Sequence, residues 1–356
     1  MLRTMVVSGA CIISHSALAG IPIANLPVQA YGVLDFGAKY SHSDAGDDHG
    51  FQSGMGSTSR IGLKLDAKVN DDIEIIGALE SGIDLKEFEF LKDTTFNRAA
   101  NIGIQSKKYG TLLYGRQYNA AIGLDDDPFL GVSAYSPFVS VGASSSGLGA
   151  GSLSMESRAS RAISYTTPNI QNIKTQVLYT PNQAIGPHGI DAENYGLMSI
   201  YDDGINRLGF SYNELINNNA VVYNNKTYSN VKTRLFHSTI GHTFNQVLKF
   251  SSGFAYFKPD SPNAVSAQIY NIGVVYNQAK YSLRSAIYYR EVDQQDKAAT
   301  AFSIGGEYHI NKYLDAYVRS GYVFNNEKSK YTVNSTIVDE NGDDPSSYAT
   351  GLRFRF

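Results

Sequence analysis

The residues of this 356-residue chain best suited to chemistry are fixed charges. An acidic run, Asp125-Asp126-Asp127-Pro128-Phe129, opens a Gly- and Ser-rich stretch from Asn119 to Ser157, while arginines sit in short alternating segments, as Arg353 and Arg355 do near the C-terminus. Such groups can orient water, attract ions and sort solutes by charge. Bond-breaking needs more, because a nucleophile requires a positioned base. The seven histidines are scattered, and His237 and His242 fall on opposite faces of one strand-like segment. No His, Asp or Glu spacing resembles a metal-ligand set. Gly147-Leu148-Gly149-Ala150-Gly151 lacks the helix and the rest of a nucleotide-binding fingerprint and reads as loop flexibility. No catalytic, cofactor or metal site is therefore expected, and the chain is not read as an enzyme.

The elements that must position the charges are strands. From Ser347 to Phe356 the chain alternates strictly, with Tyr348, Thr350, Leu352, Phe354 and Phe356 on one side and Ala349, Gly351, Arg353 and Arg355 on the other. Ile61, Leu63, Leu65 and Ala67 likewise oppose Arg60, Lys64, Asp66 and Lys68, and Leu283, Ile287 and Tyr289 oppose Ser282, Arg284 and Arg290. About sixteen such segments are legible, over 29–40, 57–68, 73–84, 96–106, 111–118, 158–165, 175–180, 193–201, 207–215, 233–243, 248–257, 267–277, 281–290, 300–309, 316–324 and 347–356. The segment 96–106 breaks the pattern, since Arg98 shares a face with Ile102 and Ile104, and is expected to be buried against a loop or a neighbouring subunit.

Tight turns such as Val69-Asn70-Asp71-Asp72 and Asp202-Asp203-Gly204 alternate with long connections, among them 42–56, 119–157, 216–232 and 325–346. A soluble sandwich has no reason to keep that rhythm. A transmembrane antiparallel up-and-down β-barrel does, with short turns at one rim and long loops at the other. The repeatedly charged inner faces imply an interior that holds water.

Composition agrees. Aromatic residues make up 12%, with 25 Tyr and no Trp, so Tyr and Phe must supply the aromatic girdles. No run approaches the roughly 18 apolar residues of a spanning helix, so a membrane crossing must use closed strands. A formal net charge of −3 argues against an ordinary nucleic-acid binder. Residues 1–19 read as an export signal: Arg3, an apolar core from Met5 to Ile13, and Ala17-Leu18-Ala19 before a mature start at Gly20. Val28-Gln29-Ala30 is a second, lower-ranked cleavage site. The one cysteine, Cys11, lies within the signal, where the alternative role of lipid anchor is disfavoured by the short preceding apolar run.

Six motifs in order then carry a family resemblance: Tyr31-Gly32-Val33-Leu34-Asp35; Ser59-Arg60-Ile61-Gly62-Leu63-Lys64; Phe96-Asn97-Arg98-Ala99; Tyr109-Gly110-Thr111 with Tyr114-Gly115-Arg116-Gln117-Tyr118; Tyr165-Thr166-Thr167-Pro168-Asn169; and the ending Gly351-Leu352-Arg353-Phe354-Arg355-Phe356. The chain resembles the general diffusion porins of Gram-negative bacteria. The resemblance implies a homotrimer of sixteen-stranded barrels in the outer membrane, with a single barrel over 20–356 whose third external loop, 119–157, folds inward as a constriction. It further implies an arginine wall of Arg60, Arg98 and Arg158 facing acids drawn from Asp125, Asp126 and Asp127. Arg116 is read as a tether at the loop's base, and Arg161, on the other strand face from Arg158, as structural. Phe356 would be the signal read by the outer-membrane assembly machinery. The function implied is passive diffusion of ions and small hydrophilic solutes without a cofactor. The alternative is a substrate-selective outer-membrane channel using Arg284, Arg290, Arg319, Arg353 and Arg355 as a ladder, and an adhesin or purely structural barrel is a third reading.

Overall fold

The computed structural model describes residues 20–23, 25–91, 95–120, 124, 127–129, 133–185 and 190–356, without side-chain detail over 182–191. The export signal with Cys11, and Asp125 and Asp126, lie outside the described residues.

Sixteen barrel strands follow one another along the chain, and each expected segment has its counterpart. They are β1 (Val28–Ser43), β2 (Arg60–Lys68), β3 (Ile73–Asp84), β4 (Ala99–Ser106), β5 (Gly110–Tyr118), β6 (Arg158–Thr166), β7 (Ile173–Ile185) and β8 (Ile190–Asp202). The second half comprises β9 (Asn206–Asn217), β10 (Val231–Phe244), β11 (Leu248–Pro259), β12 (Ala267–Asn277), β13 (Tyr281–Val292), β14 (Lys297–His309), β15 (Leu314–Asn325) and β16 (Ser346–Arg355). Neighbours pair antiparallel, and β1 closes the ring against β16, from Val33 opposite Arg355 to His42 opposite Ser346. Closure gives every strand two partners, the condition for crossing lipid without orphaned backbone groups.

The wall is polar inside and apolar outside, the inverse of a soluble protein. Leu283, Val318 and Leu352 are each more than half exposed, whereas Asp35, Asn194, Ser211, Arg290 and Ser347 are wholly buried. Aromatic residues gather at two levels of the outer face. Near the short turns, Tyr276 packs on Tyr281 and Phe354 lies between Tyr313 and Phe356; toward the long connections, Tyr179 packs on Tyr195, Phe254 on Tyr270 and Tyr40 on Tyr348. Phenol rings thus do the work of the absent tryptophans, because a phenol can sit in lipid while its hydroxyl reaches water.

Three local expectations change. The stretch 42–56 is largely a hairpin rather than a loop: β1 continues to Ser43, and Gly46–Ser53 returns along it with Ser43 opposite Gly46. Its alternation is invisible because both faces of a strand beyond the membrane are wet. Arg98 precedes the first residue of β4, so strand parity does not govern it; Ile102 and Ile104 point outward while Arg98 is buried against β3. In β6, a bulge leaves Ser160 and Arg161 without ladder partners, between Gly115 opposite Ala162 and Gln117 opposite Ala159. The bulge interrupts the strict alternation by which Arg161 was set on the other strand face from Arg158, and Arg161 adopts a left-handed φ of 49°.

Candidate functional site

Pairing of the first strands brings distant charges to one height. Val33 lies opposite Arg60, Arg60 opposite Gly82, and Gly62 opposite Glu80, which in turn faces Ala99. Glu80 is the centre of this group. Its carboxylate accepts Arg98 Nε at 2.6 Å and the Tyr31 hydroxyl at 2.9 Å, with Arg60 Nε at 3.4 Å. Arg60 is also held by the Thr58 carbonyl at 2.8 Å and the Ser57 hydroxyl at 3.1 Å. Arg158, at the start of β6, donates to the Tyr118 hydroxyl at 2.7 Å and lies 4.2 Å from the centre of that ring, within the electrostatic reach of Glu80 and Arg98. The three expected arginines are therefore brought together. Arg116 stands beside them, bridging the Asn97 carbonyl and the Ser160 hydroxyl, both at 2.6 Å.

Sequence reasoning overlooked Glu80, Tyr31 and Tyr118. A signal existed for Glu80: it directly follows the apolar run Ile75-Ile76-Gly77-Ala78-Leu79, in the middle of a strand and at the inward parity of Ile76. A carboxylate buried there demands cationic partners.

The chain after Tyr118 crosses to the far side of the ring. Leu124 fits against Gly209 of β9 and Pro128 against Gly273 of β12, where a β-carbon would lie 2.9 and 2.6 Å away, respectively, so the glycines allow the close approach. Arg284 of β13 donates to the Pro128 carbonyl at 2.8 Å, and Arg319 of β15 stands over the Phe129 ring. Farther along, Phe138 stacks on His237 of β10, Arg290 of β13 donates to the Val141 carbonyl at 2.9 Å, and the Leu153 amide donates to Thr233 Oγ1 of β10 at 2.9 Å. Tyr135, whose phenol burial pushes up to about 12, keeps its hydroxyl on Ser347 of β16 at 2.9 Å. Asp127 is buried and works within the segment, accepting the Phe129 amide at 2.8 Å and the Ser136 hydroxyl.

A second charge cluster lies on β13–β16. Arg284 and Arg353 reach Glu307 at 3.1 and 2.9 Å and Arg319 also pairs with it, while Arg353 and Arg355 reach Asp315 at 2.9 and 2.6 Å. These four arginines of the imagined ladder are thus paired with acids, and Arg290 lies apart, on the Val141 carbonyl. Glu307, His309 and Asp315 bring potential ligand atoms within 4.8 Å of one another, a grouping that linear spacing conceals. The guanidiniums already on both carboxylates make this a poor place for a cation.

A closed barrel with an oily exterior, a charged interior and a long segment laid along one inner wall is the architecture of an outer-membrane channel. The family profile described as Gram-negative porin matches residues 6–328. An outer membrane porin protein of Bordetella pertussis is 27% identical over 217 residues, which is 55% of this chain and 50% of that protein, so the match spans half the length of the curated relative. Among solved structures, an anion-selective porin from Comamonas acidovorans superposes with a TM-score of 0.77 at 17% identity, covering 92% of this chain and 99% of that one. The trimer form of OmpT from Vibrio cholerae gives 0.64 at 15% identity, covering 92% and 99%. The chain belongs to the Gram-negative porins, channels of the bacterial outer membrane.

Proposed function

We propose that the protein is a passive channel for ions and small hydrophilic solutes, narrowed where Arg60, Arg98 and Arg158 confront the segment 119–157. The observation that carries this reading is the gathering of those arginines around Glu80 on β2–β6 while the long segment docks on the inner side of β9–β16. Charges on opposite walls of a narrow, low-dielectric ring orient water and polar solutes and retard apolar ones. In this reading the acidic run Asp125-Asp126-Asp127 supplies the negative half of that field. A porin needs no catalytic residue for this, and the protein is not an enzyme.

In the same reading, residues 1–19 are a cleaved export signal and 20–356 form one barrel, which assembles as a homotrimer among outer-membrane lipids. The V. cholerae relative in trimer form supports the trimer. Phe356 is the assembly signal; its backbone exchanges hydrogen bonds of 3.0 and 3.2 Å with Gly32, placing the last residue in the ladder of β1.

Planar-bilayer recording in a salt gradient tests the field directly. Replacing Asp125, Asp126 and Asp127 together by Asn is expected to move the reversal potential toward anion preference. An unchanged potential with normal conductance would place the acidic run outside the permeation path.

A further inference from the structure

The connection between β15 and β16, residues 326–345, does not behave as a free surface loop. Its tip turns back through left-handed residues Asn334 and Ser335, with φ of 47° and 56°. Val333 and Asn334 are buried, at 2% and 5% exposure. Val333 packs over Gly321 of β15 so closely that a β-carbon there would lie 2.6 Å from its methyl group, and the Tyr135 ring covers the same glycine. The Asn334 amide nitrogen donates to the Tyr135 hydroxyl at 3.2 Å and to Ser347 Oγ at 3.1 Å, while its carbonyl accepts Gln52 at 3.1 Å. Arg290, which holds Val141, also lies under the Tyr331 ring. Three other parts of the chain converge on this one amide of the last long connection, and one of them is the constriction segment.

We infer that the narrow part of this channel is bounded by two loops, 119–157 and the tip of 326–345, and that Asn334 is the positioning residue that holds one against the other. The inference rests on the channel reading above. Ser347 and Gly321 belong to the inner wall, so the tip they receive occupies cross-section that solutes would otherwise use. Side-chain amides fixed on three sides hold a loop in one place, and loss of the clasp releases it.

The full mature protein, purified as folded barrels, tests this in bilayers and in liposome-swelling assays with sugars of graded size. Replacing 331–336 by Gly and Ser is expected to raise single-channel conductance about twofold and to admit larger sugars, because a wider path conducts more. Tyr135→Phe, which removes one oxygen and keeps the ring, and Asn334→Ala should each cause the same smaller rise and flickering, with no further gain when combined, because both break one shared interaction. Gly321→Val should reproduce the effect from the wall by displacing Val333. Unchanged conductance and sugar cut-off in folded Tyr135→Phe and Asn334→Ala channels would overturn the inference and leave the channel reading intact. Absence of any stable conductance in the unaltered protein would overturn both.

Discussion

Two arginine clusters line the inside of one barrel, one around Glu80 and one around Glu307 and Asp315, and they hold their charges differently. Around Glu80, one carboxylate serves Arg60 and Arg98, with Arg158 close by, and Arg60 keeps 15% of its side chain exposed. On β13–β16, two carboxylates serve Arg284, Arg319, Arg353 and Arg355, and Glu307 and Asp315 are 3% and 0% exposed. Both clusters hold more guanidiniums than carboxylates, but the first has a single acid among its three arginines and Arg158 does not pair with it directly. In the second every guanidinium touches a carboxylate, and the cluster lies beneath the segment 119–157, through Arg284 on Pro128 and Arg319 on Phe129. A guanidinium acts at a distance only where its charge is neither cancelled nor covered.

That contrast can be broken most forcefully at Glu307. Glu307→Ala leaves three buried guanidiniums without their shared partner and is expected to cost about 3–5 kcal/mol. The measurement is the loss of the compact, heat-modifiable band on gels, and a fully stable variant would contradict the structural role. Next comes removal of Phe356, which takes away its bonds to Gly32 and is expected to lower outer-membrane levels severalfold while leaving the conductance of surviving channels near normal. Normal levels of the truncated protein would refute the assembly role.

Glu80→Gln sharpens the comparison from the other side. It keeps the hydrogen-bonding shape but removes the one acid among the arginines, so a stability loss of about 1–3 kcal/mol is expected, together with a reversal potential shifted toward anions. A large loss of folding with no change in selectivity would make this cluster the twin of the other. The smallest effect is expected from Tyr31→Phe, which removes one donor to Glu80 and should cost about 1 kcal/mol by thermal unfolding in detergent, with conductance scarcely altered.

Legibility of the molecule varied with distance from the bilayer. Within it, an apolar exterior and wet interior force period-two alternation, so Ile73–Asp84 and Ala267–Asn277 were readable to the residue. Beyond it both faces are solvated, and Gly46–Ser53 left no pattern to read. Between Arg158 and Ala162 the alternation is interrupted, because a bulge is a feature of pairing between two strands, and one strand's sequence does not reveal it. Arg60 and Arg98 were found at motif positions and Arg158 through the resemblance, but the pairing of Glu80 with two of them came to light only when β3 was laid between β2 and β4.

The order of side chains alone determined that this chain crosses a membrane as about sixteen strands, because alternation and strand length are local properties that a bilayer selects directly. Which charges face one another, which arginines share Glu307 and Asp315, and that Asn334 meets Tyr135 were decided by the closed ring. Those contacts join residues far apart along the chain, and their energies depend on register, burial and what lies above them, none of which a linear pattern encodes.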